Sequence, residues 1–164
     1  MGKSHDERRI AGKLLEFLPK LRKQLNPLLL NKWLEGAEGW AEVDSICQSN
    51  FSAVEMLANW QVWEKIITKF SRDKNIHKRR ASLVLLANPV RQSSDARLVK
   101  IALTSIDQLK GENDILITKA VSWLLRACIK NHRGMVRKYL ESNLDNLPSI
   151  AVRETNCKLL TGKK

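Results

Sequence analysis

Ile115-Leu116-Ile117-Thr118-Lys119-Ala120-Val121-Ser122-Trp123-Leu124-Leu125-Arg126-Ala127-Cys128-Ile129-Lys130 is the stretch that decides the fold. Leu116, Ala120, Trp123, Leu124, Ala127 and Cys128 fall at i, i+4, i+7, i+8, i+11 and i+12, a single apolar stripe of helical period. Asp114 stands just before the run, where a short acidic side chain caps a helix. Lys119, Ser122, Arg126 and Lys130 recur about one turn apart and form a second, basic stripe. Trp123 belongs to the apolar stripe and is expected in the core.

The same period extends outward from this helix. Residues 76–87 form another helix, with Asn75 or Asp73 as its cap and Asn88-Pro89 as its stop. Pro148-Ser149 opens a third that runs to Leu160. Residues 95–108 and 132–142 are amphipathic, and 6–24, 27–34, 43–48 and 54–70 also read as helices, the last broken at Asn59. Arg79/Ser82, Lys119/Ser122 and Arg153/Asn156 repeat one outline, a basic residue three positions before a small polar one, at offsets of 40 and 34 residues. Those offsets suit HEAT-type helix pairs. The expected fold is all-α: a HEAT-like helical repeat solenoid forming a single domain over 1–164, with its second helices lining a basic concave face. An irregular helical bundle is the alternative.

The chain has 164 residues, enough to bury a core, and 29 Lys and Arg against 17 Asp and Glu leave a net charge of +12. Such an excess attracts polyanions. No apolar run is long enough to cross a bilayer. Met1-Gly2-Lys3-Ser4-His5-Asp6 carries no apolar signal core, and Asp6 stands where a myristoylation signal needs Ser or Thr. Cys47, Cys128 and Cys157 are unpaired in spacing, which argues against a disulfide framework or zinc site, and Cys128 and Cys157 lie in apolar patterns. A reducing, cytoplasmic setting and a monomer are expected, with no metal and no cofactor; His5, His77 and His132 form no constellation.

Lys78, Arg79 and Arg80 crowd the start of the 76–87 helix, where the helix dipole disfavours cations, so a bound phosphate row is the expected compensation. His77 stands beside them. Trp33, Trp60 and Trp63 sit in helical patterns, whereas Trp40 follows Gly39 at a turn and precedes Asp44. Asp44 either caps the next helix or serves chemistry. No phosphate loop, metalloprotease helix or nucleophile elbow is present.

Lys119-Ala120-Val121-Ser122-Trp123-Leu124-Leu125-Arg126 resembles the "KAIGWALR" signature of the AlkD-like DNA alkylation repair family. Trp40-Ala41-Glu42-Val43-Asp44-Ser45 is similar to its "W-D-x-x-D" segment, Arg79-Arg80-Ala81 to "W-x-R-R-x-A", and Val152-Arg153-Glu154 to "S-x-R-E". The resemblance covers about 27–160. It implies HEAT-like repeats and hydrolysis of the N-glycosidic bond of purines alkylated at N3 or N7, with DNA as partner. It also implies aromatic residues and one Asp at the site. That Asp is expected to be Asp73, ahead of Asp44. DNA contacts are expected from Trp40, Phe70, His77, Lys78, Arg79, Arg80, Lys119, Ser122, Arg126, Lys130 and Arg153.

The chain departs from the pattern in several places. Asp73 lies about one residue off, with Lys74 in the aligned place. Phe70 and His77 stand where the family has Trp, and Thr118 replaces an Arg or Gln. Residues that grip match better than residues that cut. The sequence therefore points first to a DNA repair-type binding protein and next to an active glycosylase. A HEAT-like scaffold for an acidic protein is the third reading.

Overall fold

The computed structural model describes residues 4–163, so Met1 and Gly2 of the processing-signal reading lie outside the described residues, as does the His5 side chain. The described residues are helical throughout, with no strand: α1 (His5–Phe17), α2 (Pro19–Arg22), α3 (Leu29–Glu35), α4 (Trp40–Cys47), α5 (Ala53–Ala58) and α6 (Trp60–Phe70), then α7 (Ile76–Ala87), α8 (Pro89–Gln92), α9 (Ala96–Leu109), α10 (Ile115–Glu141) and α11 (Ser149–Thr161).

Local chemistry sets most of the boundaries. Asp114 and Asp95 cap α10 and α9 by accepting from the Leu116 and Arg97 amides. Asn75, rather than Asp73, caps α7. Pro19 and Pro89 open α2 and α8, where their missing N–H costs nothing. The helix expected over 6–24 is thus two, divided at Leu18. The helices expected over 115–130 and 132–142 are the two parts of α10, separated by a kink where the His132 backbone is non-helical (φ −134°, ψ 36°). Gly162 ends α11 in the left-handed conformation (φ 71°) that a side chain disfavours.

α1 packs on α4, α4 on α7, α7 on α10 and α10 on α11, while α6 and α9 pack behind α7. Leu30, Leu34, Ile46, Met56, Ile67, Phe70, Leu83, Leu85, Leu98 and Ile106 are fully buried between the layers. α1 reaches α4 closely at Gly12, whose carbonyl accepts from Asn50 Nδ2 at 2.9 Å. A Cβ on Gly12 would lie 2.6 Å from Ser45 Oγ and 2.9 Å from the Ser45 carbonyl carbon. Hydrogen bonds between distant side chains join residues 32 to 36 apart, among them Arg8–Glu42, Asp44–Arg80, Arg79–Glu112 and Ser122–Glu154.

Cys47 and Cys128 are buried, but Cys157, expected in the core, is exposed. Burial pushes the Cys47 thiol up, helped by Asp44, and pushes Cys128 up to about 12. No described helix is long and apolar enough to cross a membrane.

Candidate nucleic-acid interface

The chain's excess charge becomes local where α7, α8, α10 and α11 meet. Arg80, Arg91, Lys119, Arg126 and Lys158 line one cleft of about 460 Å³ with Trp123, Ile150 and Glu154. Helical periodicity explains the set. Lys119, Trp123 and Arg126 follow i, i+4, i+7 on α10, and Ile150, Glu154 and Lys158 follow i, i+4, i+8 on α11.

The same periodicity leaves two of the expected residues outside the cleft lining. Arg153 precedes Glu154 by one position, about 100° round the helix, and is exposed away from the cleft. Lys130 is exposed one turn beyond Arg126, towards the kink.

Arg80 ties the cleft to α4. Its Nε and Nη2 donate to the two carboxylate oxygens of Asp44 at 2.9 and 2.8 Å, and Nη1 donates to the Leu116 carbonyl. This planar fork fixes the carboxylate in orientation. Asp44 is not a cap: Gly39 precedes α4 and Trp40 opens it, so Asp44 lies a full turn inside. On its other side Asp44 borders a second hollow, about 610 Å³, with Trp40, Ile10, Leu14 and Phe17. Trp40 is 57% exposed there.

The basic cluster at the start of α7 divides three ways. Only Arg80 reaches the cleft. Arg79 turns outward, grips Glu112 with Nε and Nη2 at 2.8 and 3.1 Å, and donates Nη1 to the carbonyls of Asp73 and Lys74. Lys78 is buried, with its ammonium 3.9 Å from Asp73. The cations crowded at this helix start are thus compensated largely by protein groups.

Asp73 does not line either hollow. Its carboxylate accepts from the Asn75 amide at 2.9 Å and closes the turn before α7. Phe70 is 1% exposed in the core and cannot reach a base. His77 is partly buried; burial foremost holds its pKa down, Glu42 opposes that and Arg80 adds to it. Ser122 is fully buried beneath the cleft floor, its hydroxyl donating to Glu154 Oε2 at 2.6 Å.

Glu154 also pairs with Arg126 at 3.1 Å, whose Nε donates back to the Ser122 carbonyl. Arg91 and Lys119 take part in no ion pair or hydrogen bond among the described residues. Sequence reasoning missed Arg91, Trp123, Glu154 and Lys158. Trp123, expected only in the core, is half-buried: it packs on the core with one part and lines the cleft with the rest. The four-residue spacing of 150, 154 and 158 was the available signal for the α11 pair. Among the described residues, no group of three His, Cys, Asp or Glu could hold a metal ion.

No individual curated protein matches the chain. The sequence profile of the DNA alkylation repair enzyme family matches residues 2–159, a span that begins upstream of the Pro27 where the motif resemblance starts. With nearly the whole length covered, the chain belongs to the DNA alkylation repair enzyme family.

Proposed function

We propose that this protein binds damaged or distorted DNA along the α7–α10–α11 cleft and excises N3- or N7-alkylated purines beside Asp44. The observation that carries this reading is the convergence of five cations on one cleft, coupled by the Arg80–Asp44 pair to the hollow holding Trp40. Phosphates track the cations, and the salt-dependent release of counterions drives association.

An alkylated purine carries positive charge. The C1′–N bond therefore breaks with its electron pair neutralising the base, and little acid catalysis is needed. The growing charge lies on the sugar, where an oriented carboxylate stabilises it, positions a water that bonds to C1′ and takes the proton that water loses. Asp44 suits that role: Arg80 pins both of its oxygens, each of which keeps a second lone pair. Trp40 and Trp123 offer ring faces beside the pair. Asp73, spent on its turn, is the poorer candidate.

The architecture fits a HEAT-like solenoid of one domain. Its support is the succession α1–α4–α7–α10–α11 together with side-chain bonds spaced at about one repeat length.

Release of 7-methylguanine from methylated duplex DNA tests the reading. The wild type and Asp73→Asn should release it, and Asp44→Asn should not. Equal release by Asp44→Asn and wild type would remove Asp44 from the chemistry. Tight binding without release by any form would leave a non-catalytic DNA-binding module.

A further inference from the structure

Arg91 is half-buried on α8, and among the described residues nothing pairs with it. Burial, and next the positive charge of Arg126, lower its pKa, yet a guanidinium keeps its proton at any ordinary pH. A partly desolvated cation set against another cation costs folding energy, and no described carboxylate pairs with it to offset that cost.

Around it, Lys119, Arg126 and Lys158 line the same cleft, and among the described residues Glu154 is the one carboxylate that lines it. Glu154 Oε2 takes the Ser122 hydroxyl at 2.6 Å and the Arg126 guanidinium at 3.1 Å. Those are donors that a phosphate oxygen would also take. The Glu154 side chain is 35% exposed, so water can reach it when Arg126 turns to another anion. Two guanidinium forks and an ammonium, with one carboxylate among them, match the planar, multidentate recognition of a tetrahedral oxyanion.

We propose that Arg91, Arg126 and Lys158 form a built phosphate site at the α8–α10–α11 end of the cleft, and that Glu154 is its resident counter-ion, which gives up Arg126 when phosphate enters. The identity of the ligand as a DNA phosphodiester rests on the nucleic-acid reading above. The site itself rests on the side chains alone, and free phosphate shares the same chemistry.

Two measurements on the full chain test it. In the first, thermal unfolding is followed with inorganic phosphate against sodium chloride of equal ionic strength. Phosphate should raise the wild-type midpoint and leave that of Arg91→Met unmoved. Arg91→Lys, which keeps charge but loses the fork, should respond in between. In the second, binding of a fluorescent duplex is titrated across salt.

One lost phosphate contact lowers the log–log salt slope by about 0.9, so the wild-type advantage over Arg91→Met should shrink about three- to fourfold between about 50 and about 200 mM salt. Glu154→Gln should bind the duplex about threefold tighter or more, because it removes the competing charge.

Equal phosphate stabilisation of wild type and Arg91→Met overturns the site, as does an unchanged salt slope. Weaker duplex binding by Glu154→Gln overturns its role as counter-ion. Phosphate stabilisation that depends on Arg91, with no duplex binding by the wild type, upholds the site and defeats the DNA reading instead.

Discussion

Replacing Asp44 by Ala leaves the Arg80 guanidinium, 7% exposed, with one remaining protein acceptor, the Leu116 carbonyl. Two charge-assisted bonds of 2.9 and 2.8 Å disappear. Hydrogen bonds to charged groups contribute about 1.5–3 kcal/mol, and stranding one member of a buried pair costs about 3–5 kcal/mol. The surviving Leu116 bond and the 14% exposure of Asp44 place this case near the low end, at about 2–3 kcal/mol. At about 2–4 °C per kcal/mol for a chain of this size, the midpoint should fall by about 4–12 °C.

Urea titration at unchanged m measures the cost. Asp44→Ala, Arg80→Ala and the double variant complete a cycle. The coupling should exceed about 1 kcal/mol, since the double variant leaves no stranded charge. Additive single costs would refute the claim that α4 and α7 are locked through this pair. Asp44→Asn, nearly isosteric, keeps one acceptor for the Arg80 fork but loses the charge and sets an amide donor against the other guanidinium N–H, so it should cost less stability than Asp44→Ala while losing base release.

Phe70→Ala should cost about 3–5 kcal/mol in a urea titration, as a large aromatic leaving the core does, while the protein that remains folded binds DNA with wild-type affinity. Gly12→Ala drives a Cβ to 2.9 Å from the Ser45 backbone, so it should destabilise by about 1–3 kcal/mol and raise amide exchange in α1 ahead of α7; unaltered exchange in α1 would show that the close approach is unimportant. Cys128, neutral and pushed up to about 12 by burial, ionises in the unfolded chain from its ordinary value of 9.0, so the unfolded state holds fewer protons above that value. Stability should therefore fall as pH rises from 9.0 towards about 12, and Cys128→Ala should flatten that fall. In native protein a thiol reagent should label Cys157 quickly and spare Cys47 and Cys128.

Elements with a strong local signal are legible in the sequence. Asp114 and the apolar stripe from Leu116 to Cys128 predict α10 because cap and period act within a few residues. Asn59 separates α5 from α6 as its place in the pattern suggests. Pro19 is harder: proline is tolerated at a helix start, so it divides one expected helix into two, whereas the break expected before His132 is present as a kink. Burial decides Phe70 and Cys157, since an apolar pattern names a face without saying whether another helix covers it.

By itself, then, the sequence determined an all-helical chain, a strong positive charge and membership of the DNA alkylation repair enzyme family, because propensity, capping, charge and motif order are properties of neighbouring residues. Tertiary structure decided which charges face one another. Asp44 and Arg80, 36 positions apart, meet only because α4 packs on α7, and Glu154 reaches Ser122 only because α11 packs on α10. A one-residue step turns a helical side chain through about 100°, and that angle separates Arg80 from Arg79 and Glu154 from Arg153: one of each pair faces the cleft and the other does not.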